Sequence, residues 1–369
     1  MKVMHLLPSL SSGGVEQVVL ELCEGLGRHG VENVVVSAGG AMVPLLEAAG
    51  ARHIIMPIGK KSLFTLGQVG KLRRLLLAER PDVLHLHSRV PAWVGYLACK
   101  RLPKGDRPAL VTTFHGFHSV NWYSAIMAKG DKVVAVSRCM KEHILAHYPH
   151  TAEGDIVVIP NSVDTDANPA GYRPSEAWLK DWQTAYPELE GKYTLCLPGR
   201  ITRLKGALHL VPVLQTLRAE GVPAHAVIVG ECKKGKESFK EEVKQAFAAA
   251  GLADCVTWTG HRRDLRDVLS VCSVTLSLTT QPESFGKTTL DALALGRPVA
   301  GYEHGGVGEQ LDIFLPEGKV PTCDTAAMAA KLLDWYRNGA PAPALPVPPP
   351  YRRADMIDAH LALYRSLCS

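Results

Sequence analysis

The sequence predicts an α/β protein built from two Rossmann-like domains in tandem, each a parallel sheet with helices on both faces. Three observations predict it. At 369 residues the chain is longer than one hydrophobic core usually serves. Short strand-like apolar runs alternate with segments of helical periodicity almost from end to end. That rhythm pauses once, in a polar stretch over 166–192 containing proline and tryptophan, and then restarts.

In the first half the strand "KVMHLLP" leads to a helix over 14–29. "NVVVSA" follows, then a helix over 41–50, "HIIMPI", a basic helix in "GKKSLFTLGQVGKLRRLLLAER", "DVLHLHS", a helix over 91–101, "ALVTTFH", "KVVAVS", a helix over 138–147 and "DIVVIPN". In the second half "YTLCLPG" precedes a helix over 205–220, and "HAVIVG" one over 237–250. "CVTWTG" precedes a helix over 264–271, "VTLSLTT" one over 286–295, and "PVAGY" comes before a helix over 325–338. The run "GAPAPALPVPPP" is too rich in proline for helix and reads as an extended connector. The helix "RADMIDAHLALYRSLC" after it has nothing downstream to pack on and must return to the body. The expected division is therefore 1–165, 166–345 and a returning tail over 346–369.

Composition narrows the function classes. Nine cysteines, odd in number, scattered and without a C-x-x-C pair, read as free thiols of a reducing compartment. "MKVMHLLPSL" runs straight into a strand, which predicts no secretory leader, and no apolar stretch approaches the roughly 18–20 residues of a membrane span. The expected location is cytoplasmic. The net charge of +5 resides wholly in residues 1–165, with 18 Lys and Arg against 13 Asp and Glu; the remainder is balanced. Part of the excess, Lys60, Lys61, Lys71, Arg73, Arg74 and Arg80, is interleaved with leucines. This segment is either an ordinary helix with a solvated basic face or a surface that rests on anionic lipid or an acidic acceptor.

In open parallel sheets, ligands bind beyond the carboxyl ends of the strands, so the loops there carry the chemistry. The first, "PSLSSGGVEQ", enters its helix through Gly13 and Gly14, which let a ligand approach the backbone at a helix start or simply make a turn. The G-x-G-x-x-G spacing of dinucleotide sites is absent, which disfavours a nicotinamide enzyme. In "LCLPGRITRLKG", Arg200 and Lys205 straddle a loop before a helix, a placement suited to a diphosphate whose charge grows as its sugar bond breaks. In "QPESFGKTTLDALALGRPVAG" a helix starts near Phe285–Thr288. An acid among its first amides repels phosphate unless it serves another partner, and a sugar hydroxyl suits Glu283. Asp291 is the second acid, two helical turns further on.

Gly13-Gly14 with its helix, "VIPNSVDT", "GRITRLKG", "PESFGKTTLDALALGRPVAG" and the following "GGVGE" together resemble the signature series of GT-B retaining glycosyltransferases of family GT4, in the same order over nearly the whole chain. The resemblance implies an acceptor bound mainly by the N-terminal domain, a nucleotide-sugar held mainly by the C-terminal one, and no metal. It places Arg200 and Lys205 on the diphosphate, Glu283 on the donor sugar, and Ser284, Phe285, Gly286, Lys287 and Thr288 around sugar and phosphate. His115, at the end of "ALVTTFHG", stands where the family has a histidine near the reacting sugar; His118 lines the acceptor loop. Asp291 replaces the family's ribose-binding glutamate with a side chain one methylene shorter, and Ser162 replaces a glycine.

Two patterns raise a metal. His85 and His87 share one side of a strand, but no third ligand accompanies them, and none is expected. Asp164-Thr165-Asp166 mimics the metal-binding D-x-D of other transferases but falls in the interdomain turn and reads as coincidence. "TWTGHRRDL" offers His261 or Arg262 to a nucleobase, and Gly305, Gly306 and Glu309 lie near the donor or form packing turns.

The resulting expectation is a metal-independent retaining hexosyltransferase without a cofactor. Its partners are a nucleotide-sugar donor, UDP- or GDP-linked, and a saccharide or lipid-linked acceptor in bacterial lipopolysaccharide or cell-surface polysaccharide synthesis. An anionic membrane surface is the further partner of the basic half, and nucleic acid is not one. The rival readings are a GT-B sugar-nucleotide epimerase and a non-catalytic nucleotide-sugar-binding subunit.

Overall fold

A computed structural model describes residues 1–11, 13–233 and 235–368, the side chain of Leu63 excepted. The chain forms two units: Met1–Ser162 together with the tail from Tyr351, and Val163–Pro350.

In the first unit the order is β1 (Lys2–Leu6), α1 (Gly14–Arg28), β2 (Glu32–Ser37), α2 (Val43–Ala48), β3 (Arg52–Ile55), α3 (Leu63–Leu66), α4 (Gln68–Glu79), β4 (Val83–Leu86), α5 (Arg89–Lys100), β5 (Ala109–Phe114), β6 (Lys132–Ala135), α6 (Arg138–His147) and β7 (Ile156–Val158). The strands form one parallel sheet in the order β3-β2-β1-β4-β5-β6-β7. Strands covered on both faces need apolar side chains at successive positions, which is why β1, β2 and β4 read as near-continuous hydrophobic runs. On one face α1 packs with Val3, Val83 and Val111 beneath it, and on the other α4 and α5 cover Met4, Leu6, Leu84 and Leu86.

The second unit runs α7 (Glu176–Ala185), β8 (Tyr193–Pro198), α8 (Leu210–Ala219), β9 (Ala224–Val229), α9 (Glu237–Ala249), β10 (Val256–Gly260), α10 (Leu265–Val271), β11 (Val274–Ser277), α11 (Lys287–Ala294), β12 (Val299–Tyr302), α12 (Gly305–Phe314), β13 (Lys319–Val320) and α13 (Thr325–Asn338). Its parallel sheet has the order β10-β9-β8-β11-β12-β13.

The terminal helix α14 (Arg353–Cys368) belongs to the first unit, where Met356, Ile357, Leu361 and Tyr364 join the core formed with α1. A Cβ at Gly25 would fall 2.0 Å from Ile357 Cδ1, so the glycine in α1 is what allows that approach. The tail returns to the unit that begins the chain, at Tyr351, five residues beyond the expected break at 346.

Three local details differ from the expected elements or add to them. The polar stretch over 166–192 contains a helix: Ser175 accepts a hydrogen bond from the Trp178 amide and starts α7. The helix expected over 205–220 starts at Leu210, because Gly206 adopts φ +70° and interrupts it. The stretch after β12, read as lying near the donor or as packing turns, is helix α12.

Candidate active site

From β8 the second sheet extends to β9 on one side and β11 on the other, so its crevice opens at the carboxyl ends of β8 and β11. The loop after β8 carries Arg200 and Lys205, and the loop after β11 carries Glu283. The two loops are locked together. Gly206 lies so close to the β11 loop that a Cβ there would sit 1.9 Å from the Leu278 carbonyl oxygen, and the Thr280 amide donates to the Leu204 carbonyl at 2.9 Å. Lys205 Nζ consequently donates to Glu283 Oε1, in an ion pair whose side chains keep 30% and 20% of their exposure. That exposure leaves both groups within reach of a ligand. Arg200 is exposed, and the ion pairs among the described residues do not include it.

The Glu283 loop is held from behind by α12. The Gly306 amide donates to the Glu283 carbonyl at 2.7 Å, and Gln310 Nε2 donates to the Phe285 carbonyl at 2.6 Å. Both glycines at the start of α12 touch backbone: a Cβ on Gly305 would be 2.4 Å from the Glu283 carbonyl oxygen, and one on Gly306 2.5 Å from Phe285 Cα. Gly305 and Gly306 are thus supports for the loop. Phe285 is buried and anchors it, while Ser284 and Thr288 are half-exposed. Gly286 takes φ +85° and caps α11, so the helix starts at Lys287 with its first amides unpaired within the helix.

Asp291 lies one turn into α11 and forms an ion pair with Lys287 on the same helix face. Burial raises the Asp291 carboxyl above its ordinary pKa, against the pull of the Lys287 ammonium. Its partner in the structure is therefore Lys287, a contact that the comparison of Asp291 with a ribose-binding glutamate did not anticipate.

In the first unit the equivalent crevice lies at the carboxyl ends of β1 and β4. Here the expectation that no third imidazole joins His85 and His87 is corrected. Parallel register sets His5 of β1 beside His85, and nitrogens of His5, His85 and His87 come within 4.8 Å of one another. His5, His87 and His115 form a hydrogen-bonded ladder: His5 Nδ1 to His87 Nε2 at 3.1 Å, then His87 Nδ1 to His115 Nε2 at 3.0 Å. Both nitrogens of His85 are engaged, with Tyr364 Oη at 2.7 Å and Thr113 Oγ1 at 2.6 Å. Burial holds these rings neutral, with His5 pushed down to about 4 and His115 to about 3, and does the same to His360 of α14, whose ring centre lies 5.9 Å from that of His85 and which is pushed to about 4. Three neutral imidazoles are a suitable donor set for zinc, but a metal would have to displace the hydrogen bonds that now occupy His85 and His87. Gly13 caps α1 in an extended conformation, and a Cβ on Gly14 would meet nothing within 4 Å, so space is open beside that backbone.

Other singled-out residues have local duties. Asp164 accepts from the amides of Asp166 and Ala167 at 3.1 and 3.0 Å, a turn that explains the D-x-D spacing without a metal. Ser162 donates to the Glu21 carboxylate at 3.2 Å, which gives its hydroxyl a use where a glycine would offer none. Arg262 is tied to Asp264 at 2.9 Å and lies over the Trp182 ring. His5 and Gln310 escaped the sequence reading because each matters through a neighbour remote in sequence.

Comparison with known proteins agrees with this architecture. Residues 12–167 match the family described as Glycosyltransferase Family 4, and residues 192–338 match Glycosyl transferases group 1. The chain is 24% identical over 354 residues to the 2-deoxystreptamine N-acetyl-D-glucosaminyltransferase of Streptomyces fradiae, covering 86% of this chain and 80% of that one. A glycosyltransferase from Rickettsia africae has a similar structure, with a TM-score of 0.81 at 25% identity over 99% of this chain and 98% of its own. Anabaena HepE in complex with UDP and glucose shares the fold, with a TM-score of 0.76 at 19% identity over 100% and 97% of the two chains. With two Rossmann-like units, loops braced at the switch point of the second sheet and family matches across most of its length, this chain belongs to the GT-B glycosyltransferases of family GT4.

Proposed function

We propose that the protein is a metal-independent retaining hexosyltransferase that uses a UDP-linked sugar and a glycan or glycolipid acceptor in bacterial surface-polysaccharide synthesis. The observation that carries this reading is the pairing of Lys205 with Glu283 on two interlocked loops at the switch point of the second sheet. One cation for a phosphate and one carboxylate for sugar hydroxyls stand side by side, with exposed Arg200 on the same loop as Lys205. The UDP in the HepE complex favours uridine over guanosine as the donor base.

In the proposed reaction the acceptor oxygen bonds to the anomeric carbon as its bond to the β-phosphate oxygen breaks. The acceptor proton passes to the departing phosphate. Arg200, Lys205 and the first amides of α11 stabilise the charge that collects there. Glu283 orients the sugar, and His115, kept neutral by burial, has the hydrogen-bonding role that the family resemblance implies. The negative charge of the leaving group is then met by side chains and helix amides. The protein acts in the cytoplasm, at the inner face of the cell membrane; no helix among the described residues is long and apolar enough to cross one.

The test is a thermal-shift screen of UDP- and GDP-sugars followed by donor hydrolysis. UDP-sugars should stabilise the protein and be hydrolysed slowly without acceptor. Stabilisation by no nucleotide-sugar would defeat the reading, and quantitative epimerisation of the donor would replace it with the epimerase.

A further inference from the structure

The first unit contains an apolar pocket of about 460 Å³ with no part in donor binding as proposed. That volume is within the range of small-molecule sites. Leu66 at the end of α3, Val90, Trp93 and Leu97 on α5, and Trp122 form most of its wall. Trp93 Nε1 donates to the Tyr123 carbonyl at 3.0 Å, so its one polar atom is satisfied and its ring presents carbon. Around the pocket the surface is unusually apolar: Phe64 is 83% exposed, Trp122 75% and Leu66 51%. Such a cluster of large exposed side chains marks an interaction site.

The polar groups of the lining are equally one-sided. Lys60 and Lys61 are exposed beside the pocket, the lining includes no carboxylate, and neither lysine takes part in an ion pair among the described residues. Lys61 Nζ stands 4.4 Å from the centre of the Tyr123 ring, which holds the ammonium next to the apolar wall. An open apolar groove beside an uncompensated cationic edge matches one kind of molecule, an amphiphile with a hydrocarbon tail and an anionic head.

We propose that this pocket takes the hydrocarbon tail of a lipid phosphate, with Lys60 and Lys61 on the phosphate, and that the sugar acceptor is lipid-linked through it. The second clause rests on the transferase reading above; the binding site itself does not.

Decyl phosphate, kept below self-association, is the probe, with decyl maltoside and inorganic phosphate alongside. Binding is read by ligand-observed NMR on the full chain. The wild type should bind decyl phosphate, bind octyl phosphate about fifteenfold more weakly for the two methylenes lost, and not bind inorganic phosphate. Leu66→Asp should weaken decyl phosphate at least about tenfold, since a carboxylate that the bound tail would cover opposes both tail and head. Lys61→Gln should weaken decyl phosphate about threefold and leave decyl maltoside unchanged. Both positions are exposed, so both variants should fold as the wild type does. No binding of decyl phosphate, or binding that Leu66→Asp leaves intact, would overturn the proposal. UDP-sugar hydrolysis on the same preparations separates the two readings. Hydrolysis without amphiphile binding rejects the pocket alone, and amphiphile binding without hydrolysis rejects the transferase reading while the lipid site stands.

Discussion

Gly306→Ala tests whether α12 positions the Glu283 loop. The added methyl carbon would lie 2.5 Å from Phe285 Cα and 2.5 Å from its carbonyl oxygen. Non-bonded carbons rest about 3.5–4.0 Å apart, so the contact is short by about 1 Å. Both opposing atoms are backbone, and no side chain can swing aside. Either α12 or the loop over 283–285 must move by about that distance, stretching the 2.7 Å bond from the Gly306 amide to the Glu283 carbonyl. Overpacking of this kind costs about 1–3 kcal/mol, of which the better helix propensity of alanine returns up to about 1 kcal/mol. The net loss should lie between about 0 and 3 kcal/mol, a modest drop in the urea midpoint. A displacement of about 1 Å at a group that orients substrate costs about a hundredfold in turnover. Activity should therefore fall much further than stability, measured by donor turnover and urea unfolding on one preparation. A Gly306→Ala protein with turnover within about threefold of wild type would refute the bracing role.

Four further outcomes are expected. Glu283→Ala should lower transfer at least about a hundredfold yet tighten UDP binding about fivefold, because it frees Lys205 from a carboxylate; weaker UDP binding, measured by calorimetry, would show that Glu283 does not compete with phosphate. Asp291→Ala should weaken UDP about tenfold with maximal turnover nearly unchanged, whereas unchanged UDP affinity would confine Asp291 to its pair with Lys287. Gly14→Ala meets no protein atom within 4 Å and should be as stable as wild type, so a loss of transfer there, read beside an unaltered melting curve, would place ligand against that backbone. Stability should also fall in mild acid. His5, His115 and His360 titrate at about 4, 3 and 4 when folded and near 6.5 when unfolded, so the unfolded chain binds more protons between these values. Their stabilising contribution is complete above about pH 6.5 and declines by up to about 1.4 kcal/mol per pH unit for each ring as pH drops toward 4. A flat urea midpoint from pH 7 to 5 would contradict it.

The division between what could be read in one dimension and what could not follows the range of the interactions. Alternating apolar runs and helical periodicities reported both sheets, because a strand covered on two faces must be apolar and a helix over it must be amphipathic, and each requirement acts within a few residues. The loops rich in glycine and charge likewise announced Arg200, Lys205 and Glu283, since backbone freedom and charge at a helix start are local properties. The connector after 338 was legible from its prolines.

Contacts remote along the chain were another matter. Nothing in "MHLL" tells that His5 will lie beside His85 in a parallel register and bond to His87, and that register is decided by packing eighty residues away. Nothing in "GGVGEQ" says that its glycines are required by the backbone of Glu283 and Phe285, since the reason for a missing Cβ is whatever occupies its space. Asp291 reads as an acid that matches a family position, but its pairing with Lys287 and its burial depend on the rotamers and neighbours of a folded helix. The sequence by itself determined the two α/β units, their order and the chemical kinds of residue in the donor loops. Which carboxylate meets which cation, which glycines bear load, and how the imidazoles form one ladder were decided only by tertiary structure, because those are properties of distance in space.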